Sequence, residues 1–128
     1  MTHSDAMPEW FIAFLWHRQQ RNPSAQTVTA YCRDFAAIAR LVSGANWARM
    51  AVVDITTPSM QDAFAVYARH HGDASIRRCW STWNLLCDFL WINKRLAVNP
   101  MPSIDRPKLT TPVPWSAVRQ FGGITAPT

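Results

Sequence analysis

The sequence has few glycines, few charged residues and no long apolar run. Only 4 of its 128 residues are glycine, and they form no phosphate-cradling loop. The serine-centred and zinc-binding motifs of common hydrolases are absent as well. No uninterrupted apolar stretch approaches the roughly 20 residues that a bilayer-spanning helix needs. These absences predict a soluble, cytoplasmic domain with no self-contained active site and no membrane partner.

Cysteine is also scarce and unpaired in pattern. Cys32, Cys79 and Cys87 form no C-x-x-C motif, and each lies within an amphipathic segment. They are expected to be buried thiols. The pair His70-His71 lacks two further ligands at suitable spacing, so neither a metal site nor another cofactor is predicted.

What the sequence does contain is enough apolar surface for one domain and an excess of positive charge. Hydrophobic residues make up 48% of 128 residues, as in a folded single domain. Thirteen lysines and arginines, eleven of them arginine, stand against eight acidic residues and give a net charge of +5. This balance favours a polyanionic partner such as nucleic acid.

Apolar residues recur at spacings of three and four positions, the period of an amphipathic helix. No alternating strand pattern is present. The sequence therefore predicts an all-α fold with four helices. The predicted helices cover residues 8–20, 25–42, 58–70 and, starting near 73–75, a stretch to about 95, with residues 45–56 as a connection.

The helix ends carry recognisable signals. Ser24 is the predicted N-cap of helix 2, and Thr57 with Pro58 gives a cap-plus-proline start to helix 3. Gly44 is expected to end helix 2 and Gly72 to end helix 3. Asp73 or Ser75 is the predicted cap of helix 4.

Six prolines follow residue 99 among few apolar residues, which is typical of a tail or linker. We predict a helical domain over residues 1–108. Residues 109–128 are predicted to be a proline-rich linker or the start of an absent catalytic domain, with a possible short helix at 115–121.

Helix 2 presents a small, polar and positive face opposite its core stripe. Its side chains offer donors for phosphates and base edges. An ordinary solvated helix face is the alternative. The residues of this face are Gln26, Thr29, Ala30, Arg33, Ala37 and Arg40.

Helix 4 changes character along its length. Arg77, Arg78 and Ser81 point away from the core at its start, where the helix dipole also favours anions. Farther on, Leu85, Phe89 and Ile92 predict a second half that is buried on all sides. The arginines could alternatively serve only as a solubilising end of an apolar helix.

Seven tryptophans are several times the usual number for such a chain. Trp80 and Trp83 fit the core stripe of helix 4, and Trp91 fits it more loosely. Three others lie near element ends, where an exposed indole could dock a partner domain or a neighbouring copy. These are Trp10, Trp47 and Trp115.

Two runs of sequence resemble hallmarks of one family. The run SAQTVTAYCRDF at residues 24–35 and the run ASIRRCWSTW at residues 74–83, continuing to Asn99-Pro100, resemble those of tyrosine recombinases of the phage integrase family. The similarity spans about residues 8–108 and is to the N-terminal, SAM-like core-binding domain, so it implies a compact four-helix bundle. Cys79, Trp80 and Asn84 depart from the family pattern.

The resemblance implies that helices 2 and 4 grip double-stranded DNA opposite a separate C-terminal catalytic domain. That domain and neighbouring recombinase protomers are the other implied partners. The positions that match the family are Ser24, Thr27, Arg33, Arg77, Arg78 and Ser81. The projected face of helix 2 adds Gln26 and Thr29.

The catalytic domain implied by this family has no counterpart here. Both tyrosines, Tyr31 and Tyr67, fall on core stripes, so the chain is not expected to cleave DNA by itself. It would be either part of a longer recombinase or a truncated remnant. The rival hypothesis is a helical protein-interaction adaptor that uses exposed tryptophans.

Overall fold

The computed structural model of the protein describes residues 7–104, and these residues form four α-helices. No strand occurs among them, so the predicted all-α class is confirmed for this part of the chain. The helix bounds are α1 Glu9–Gln19, α2 Ala25–Ser43, α3 Thr57–Ala68 and α4 Asp73–Ile92.

Two of the four α-helices begin at a short polar side chain that caps them. Ser24 Oγ accepts a hydrogen bond from Thr27 N at 3.0 Å, as expected of an N-cap. Helix α3 is capped by Thr56 rather than by the predicted Thr57. The Thr56 hydroxyl accepts from Ser59 N, and the Ser59 hydroxyl accepts from Thr56 N, each at 3.2 Å.

Two glycines take different roles from each other. Gly44 ends α2 with a positive φ of 61°, a conformation that favours glycine. Gly72 does not end α3; it is the N-cap of α4, in extended conformation and without a side-chain cap. The predicted capping by Asp73 or Ser75 is therefore wrong, because both residues lie inside α4, which starts at Asp73.

The connections contain short 3₁₀ turns. The predicted connection at residues 45–56 contains two such turns, Gly44–Arg49, which starts one residue earlier, and Val52–Asp54. Helix α4 stops at Ile92 rather than near residue 95, because Lys94 takes a positive φ of 62° and Arg95 N turns back to Leu90 O at 2.8 Å.

Phe35 of α2 organises the core. Its ring stacks on Phe11 of α1, with centroids 4.0 Å apart, and on Trp83 of α4, with centroids 5.4 Å apart. Phe14 reaches Phe89 of α4 at 5.9 Å. Such ring pairs contribute about 0.5–1.5 kcal/mol each beyond the burial of their surface. These contacts pack α1, α2 and α4 around one interior.

The three cysteine thiols differ in how deeply they are buried. Cys79 and Cys87 are buried, as predicted, whereas Cys32 is only half-buried. All three are free.

Several tryptophans lie elsewhere than the sequence pattern predicted. Trp10 is not an exposed docking residue: it is buried and donates through Nε1 to Met50 O at 2.9 Å. Trp91 is not a core residue, since 51% of its surface is exposed, and Trp16 is exposed to 67%. Trp115 lies outside the described residues.

The second half of α4 is also less buried than predicted. Leu85 and Phe89 are half-buried, but Ile92 is exposed to 63%. Helix α1 meets this half of α4 through Phe14 and Phe89, and that contact does not cover Ile92, three residues after Phe89.

The chain after α4 returns along that helix. Asn99 Nδ2 donates to Asn84 Oδ1 at 3.4 Å, and Trp80 Nε1 donates to Ile104 O at 2.9 Å. The predicted linker 109–128 and the possible helix at 115–121 lie outside the described residues. Among residues 7–104, no helix combines the length and the apolar character needed to cross a bilayer.

Candidate nucleic-acid interface

The outer face of α2 exposes the polar side chains that helical projection separated from the core. Gln26, Thr29 and Arg33 are exposed, and Ala30 and Ala37 beside them are half-buried. Within the described range Arg33 enters no ion pair. The face therefore offers hydrogen-bond donors and a positive charge next to small side chains that permit close approach.

Arg40, farther along the same face, is held differently. Its guanidinium lies over the ring of Trp47, 4.8 Å from the ring centroid. Trp47 is half-buried and packs against the core, so this indole is engaged with its own chain. The resulting cation–π contact restrains Arg40 at the C-terminal end of α2.

Ser24 and Thr27 lie at the start of α2, where they serve the helix itself. Besides the backbone cap, their hydroxyl oxygens are hydrogen-bonded to each other at 2.9 Å. Ser24 is nevertheless exposed and Thr27 half-buried. These hydroxyls adjoin the N-terminal end of α2, whose backbone N–H groups attract anions.

The start of α4 carries the second group of predicted residues. Arg78 and Ser81 are exposed, whereas Arg77 is half-buried. Consecutive residues of an α-helix point about 100° apart. The two arginines consequently project to different sides of α4, and Arg78 reaches α2.

Arg78 is joined to α2 by a buried carboxylate. Asp34 is 1% exposed and accepts hydrogen bonds from Arg78 Nη2 at 3.0 Å and from Thr82 Oγ1 at 2.9 Å. Arg78 Nε also faces both carboxylate oxygens at 3.3 Å. This pairing corrects the simple picture of two unengaged arginines at the start of α4.

The ion pair changes what Arg78 can contribute. Its hydrogen bonds to Asp34 raise the pKa of the guanidinium, which stays charged, while the adjacent carboxylate offsets much of its field. The side chain remains 45% exposed. Arg78 therefore presents a fixed donor surface whose net charge is smaller than that of Arg33.

The backbone of Asp34 reinforces the same junction. Its carbonyl oxygen accepts from Trp83 Nε1 at 3.1 Å and lies 3.6 Å from the Cys79 thiol. Ala30 and Ala37 precede and follow Asp34 by four and three positions, so they share its side of α2. The polar face of α2 thus adjoins the first turns of α4.

The neighbouring nucleophile-type side chains are unsuited to reaction near neutral pH. Burial raises the pKa of the Tyr67 hydroxyl and of the Cys79 thiol. Both groups therefore remain protonated, and the ring of Tyr67 is covered by His71 at a centroid distance of 3.8 Å.

Asp34 is the functional neighbour that sequence reasoning missed. It stood inside the run at residues 24–35, but its burial went unnoticed because its projected position is at the edge of the core stripe. Arg78 and Thr82, four residues apart, were the available signal: a donor pair on one side of α4 that needs an acceptor.

Comparison of the chain with protein-family models, curated proteins and solved structures gives no significant match.

Proposed function

We propose that this chain is a DNA-binding module of a site-specific tyrosine recombinase, a SAM-like core-binding domain. In this proposal α2 and α4 grip duplex DNA. A separate C-terminal catalytic domain cleaves and rejoins the strands, and neighbouring protomers complete the assembly. The observation that carries the proposal is the exposed Gln26–Thr29–Arg33 face of α2, joined through Asp34 to Arg78 of α4.

The proposed contacts divide by chemistry. Arg33 neutralises phosphate charge, Arg78 donates hydrogen bonds to phosphate oxygens from its fixed position beside Asp34, and Ser81 adds a hydroxyl donor. Gln26 and Thr29 reach base edges, because amide and hydroxyl groups both donate and accept. The net charge of +5 adds a long-range attraction that depends on salt.

A second candidate is supported by different residues from those first considered. Trp16 and Trp91 expose 67% and 51% of their surfaces, which suits a protein-interaction adaptor. Trp10 and Trp47 no longer support it, because the first is buried and the second lies beneath Arg40. Affinity carried by indoles would depend little on salt.

The decisive experiment measures binding of the full chain to a short fluorescent DNA duplex by anisotropy at several salt concentrations. About four to six phosphate contacts give a log–log slope of roughly −4 to −5. Replacing Arg33 by alanine should weaken binding and reduce the magnitude of the slope by about 1.

The matched control is Arg95→Ala. Arg95 is an exposed arginine beyond the other end of α4, and its described partner is the exposed Glu9. This variant should bind DNA within about twofold of the unmodified protein, because it lies outside the proposed interface. Equal losses from Arg33→Ala and Arg95→Ala, or salt-independent binding, would contradict the assignment.

A further inference from the structure

A groove lies between the second half of α1 and the second half of α4. Its volume is about 300 Å³, enough for one or two side chains of a ligand. Phe14 and Arg18 line it from α1, and Leu85, Phe89 and Ile92 line it from α4. This groove is separate from the polar face of α2 that carries the proposed DNA contacts.

One wall of the groove is apolar and partly uncovered. Phe14 is fully buried at its base, and the Phe89 ring lies above it at a centroid distance of 5.9 Å. Ile92, one helical turn later, exposes 63% of its surface. An apolar side chain that covers this exposed isoleucine removes apolar surface from water, which favours binding.

The other wall is cationic. His17, Arg18 and Arg21 line it, and the Arg18 guanidinium lies 5.9 Å from the centroid of the Tyr31 ring. Arg18 Nε is buried yet donates to no acceptor within residues 7–104. Asp88 also borders the groove but forms no ion pair with Arg18.

We propose that this groove docks an acidic segment of a partner protein, with an apolar side chain next to its carboxylate. The carboxylate lies on the cationic wall of the groove, against the guanidinium groups of Arg18 and Arg21. The neighbouring apolar side chain covers Phe89 and Ile92. Charge complementarity and the apolar wall together define this occupant.

The same features disfavour a nucleic-acid occupant. A phosphate backbone supplies negative charge but leaves Phe89 and Ile92 uncovered. An apolar peptide without a carboxylate covers the aromatic wall but brings no negative charge to the cationic wall formed by His17, Arg18 and Arg21. Only a segment with both groups satisfies both walls.

The test uses the full chain and three fluorescein-labelled probes. The first is a short peptide in which glutamates flank leucine and phenylalanine; the second replaces its glutamates by lysine, and the third is a DNA duplex. We expect saturable binding of the acidic peptide and at least about tenfold weaker binding of the lysine peptide. Amide chemical shifts in α1 and α4 should move on titration.

Ile92→Ser and Arg21→Ala should each lower the affinity for the acidic peptide by about fivefold or more. Both alter exposed residues, so the fold is expected to persist. Val53→Ser and Arg49→Ala change an exposed apolar and an exposed basic residue outside the groove and should have less than about twofold effect.

Arg33→Ala serves as the control that separates this proposal from DNA binding. It should leave peptide affinity unchanged, whatever its effect on the duplex. The proposal is overturned if the two peptides bind equally or not at all, or if the groove variants match their controls. It is also overturned if Ile92→Ser and Arg21→Ala weaken binding of the duplex alone.

Discussion

The carboxylate of Asp34 lies in an interior from which water is excluded, with 1% of the residue exposed. In place of water it receives hydrogen bonds from Arg78 and Thr82, on adjacent turns of α4. A buried charge with such partners avoids the large cost of unpaired burial. The same carboxylate therefore holds α4 against α2 and positions Arg78, a candidate DNA-binding arginine.

Asp34→Ala should lower the free energy of unfolding by about 3 kcal/mol, because charge-assisted hydrogen bonds from two donors are lost inside the protein. Urea denaturation followed by circular dichroism measures the change. Glu9→Ala is the control, since it breaks an ion pair whose side chains are 76% and 40% exposed. That exposed pair should be worth about 0–1 kcal/mol, and equal losses for the two variants would contradict this account.

The junction between α2 and α4 shows which features of the candidate site could be predicted from the sequence and which could not. Arg33, Gln26 and Thr29 were predictable as exposed because their positions depend only on the helical period. The pairing of Arg78 with Asp34 joins residues 44 positions apart. It depends on how two helices lie against each other, which helical period alone does not specify.

At the scale of elements, local signals predicted best where a cap lies next to its helix. Ser24 was identified because its acceptor oxygen serves Thr27 N, three residues away. The cap of α4 was predicted wrongly because Gly72 provides extended backbone and no side-chain cap, so no polar side chain marks it. The second half of α4 was misjudged because an apolar sequence does not itself supply a neighbouring element to cover it.

Ser24→Asp separates the two roles assigned to this position. Aspartate caps a helix about as well as serine, so the free energy of unfolding should change by only about a few tenths of a kcal/mol. The added negative charge near phosphates should weaken DNA binding roughly fivefold, which corresponds to about 1 kcal/mol of repulsion. Thermal denaturation and duplex anisotropy provide the two measurements.

Thr56→Asp makes a comparable change at the N-cap of α3, away from the proposed interface. It should leave duplex affinity within about twofold, since α3 carries none of the proposed contacts. A similar loss of DNA affinity in both variants would mean that the effect reflects total charge rather than the position of Ser24.

For the molecule as a whole, the buried thiols make the stability of the folded state depend on pH in the alkaline range. Burial raises the pKa of Cys87 from 9.0 to about 12 and also raises that of Cys79. Above pH 9 the unfolded chain loses these protons while the folded chain keeps them. Stability should therefore fall between pH 8 and 10 by about 1.4 kcal/mol for each thiol.

Urea unfolding under reducing conditions at pH 8, 9 and 10 checks this expectation. Cys87→Ala should start from a lower stability because it leaves a small cavity, but its loss between pH 8 and 10 should be about 1.4 kcal/mol smaller. Identical pH dependence in the two proteins would show that Cys87 ionises equally in both states.

The class of fold followed from the sequence more readily than its surface did. Four helical periods and the absence of strand alternation were sufficient for an all-α prediction. Which tryptophans face solvent was not, because Trp10 finds Met50 O forty positions away whereas Trp16 finds no comparable cover. Surface assignments of this kind require the relative placement of all the elements.

The four donors that Asp34 meets span residues 78 to 83 of α4. Sliding α4 by one turn, or rotating it, would break all of them together. The distance between Arg33 on α2 and Ser81 on α4 is consequently fixed by the packing of the two helices. A ligand that contacts both helices has to match that spacing, so a ligand that deforms easily should bind more tightly than a stiff one of poorly matched shape.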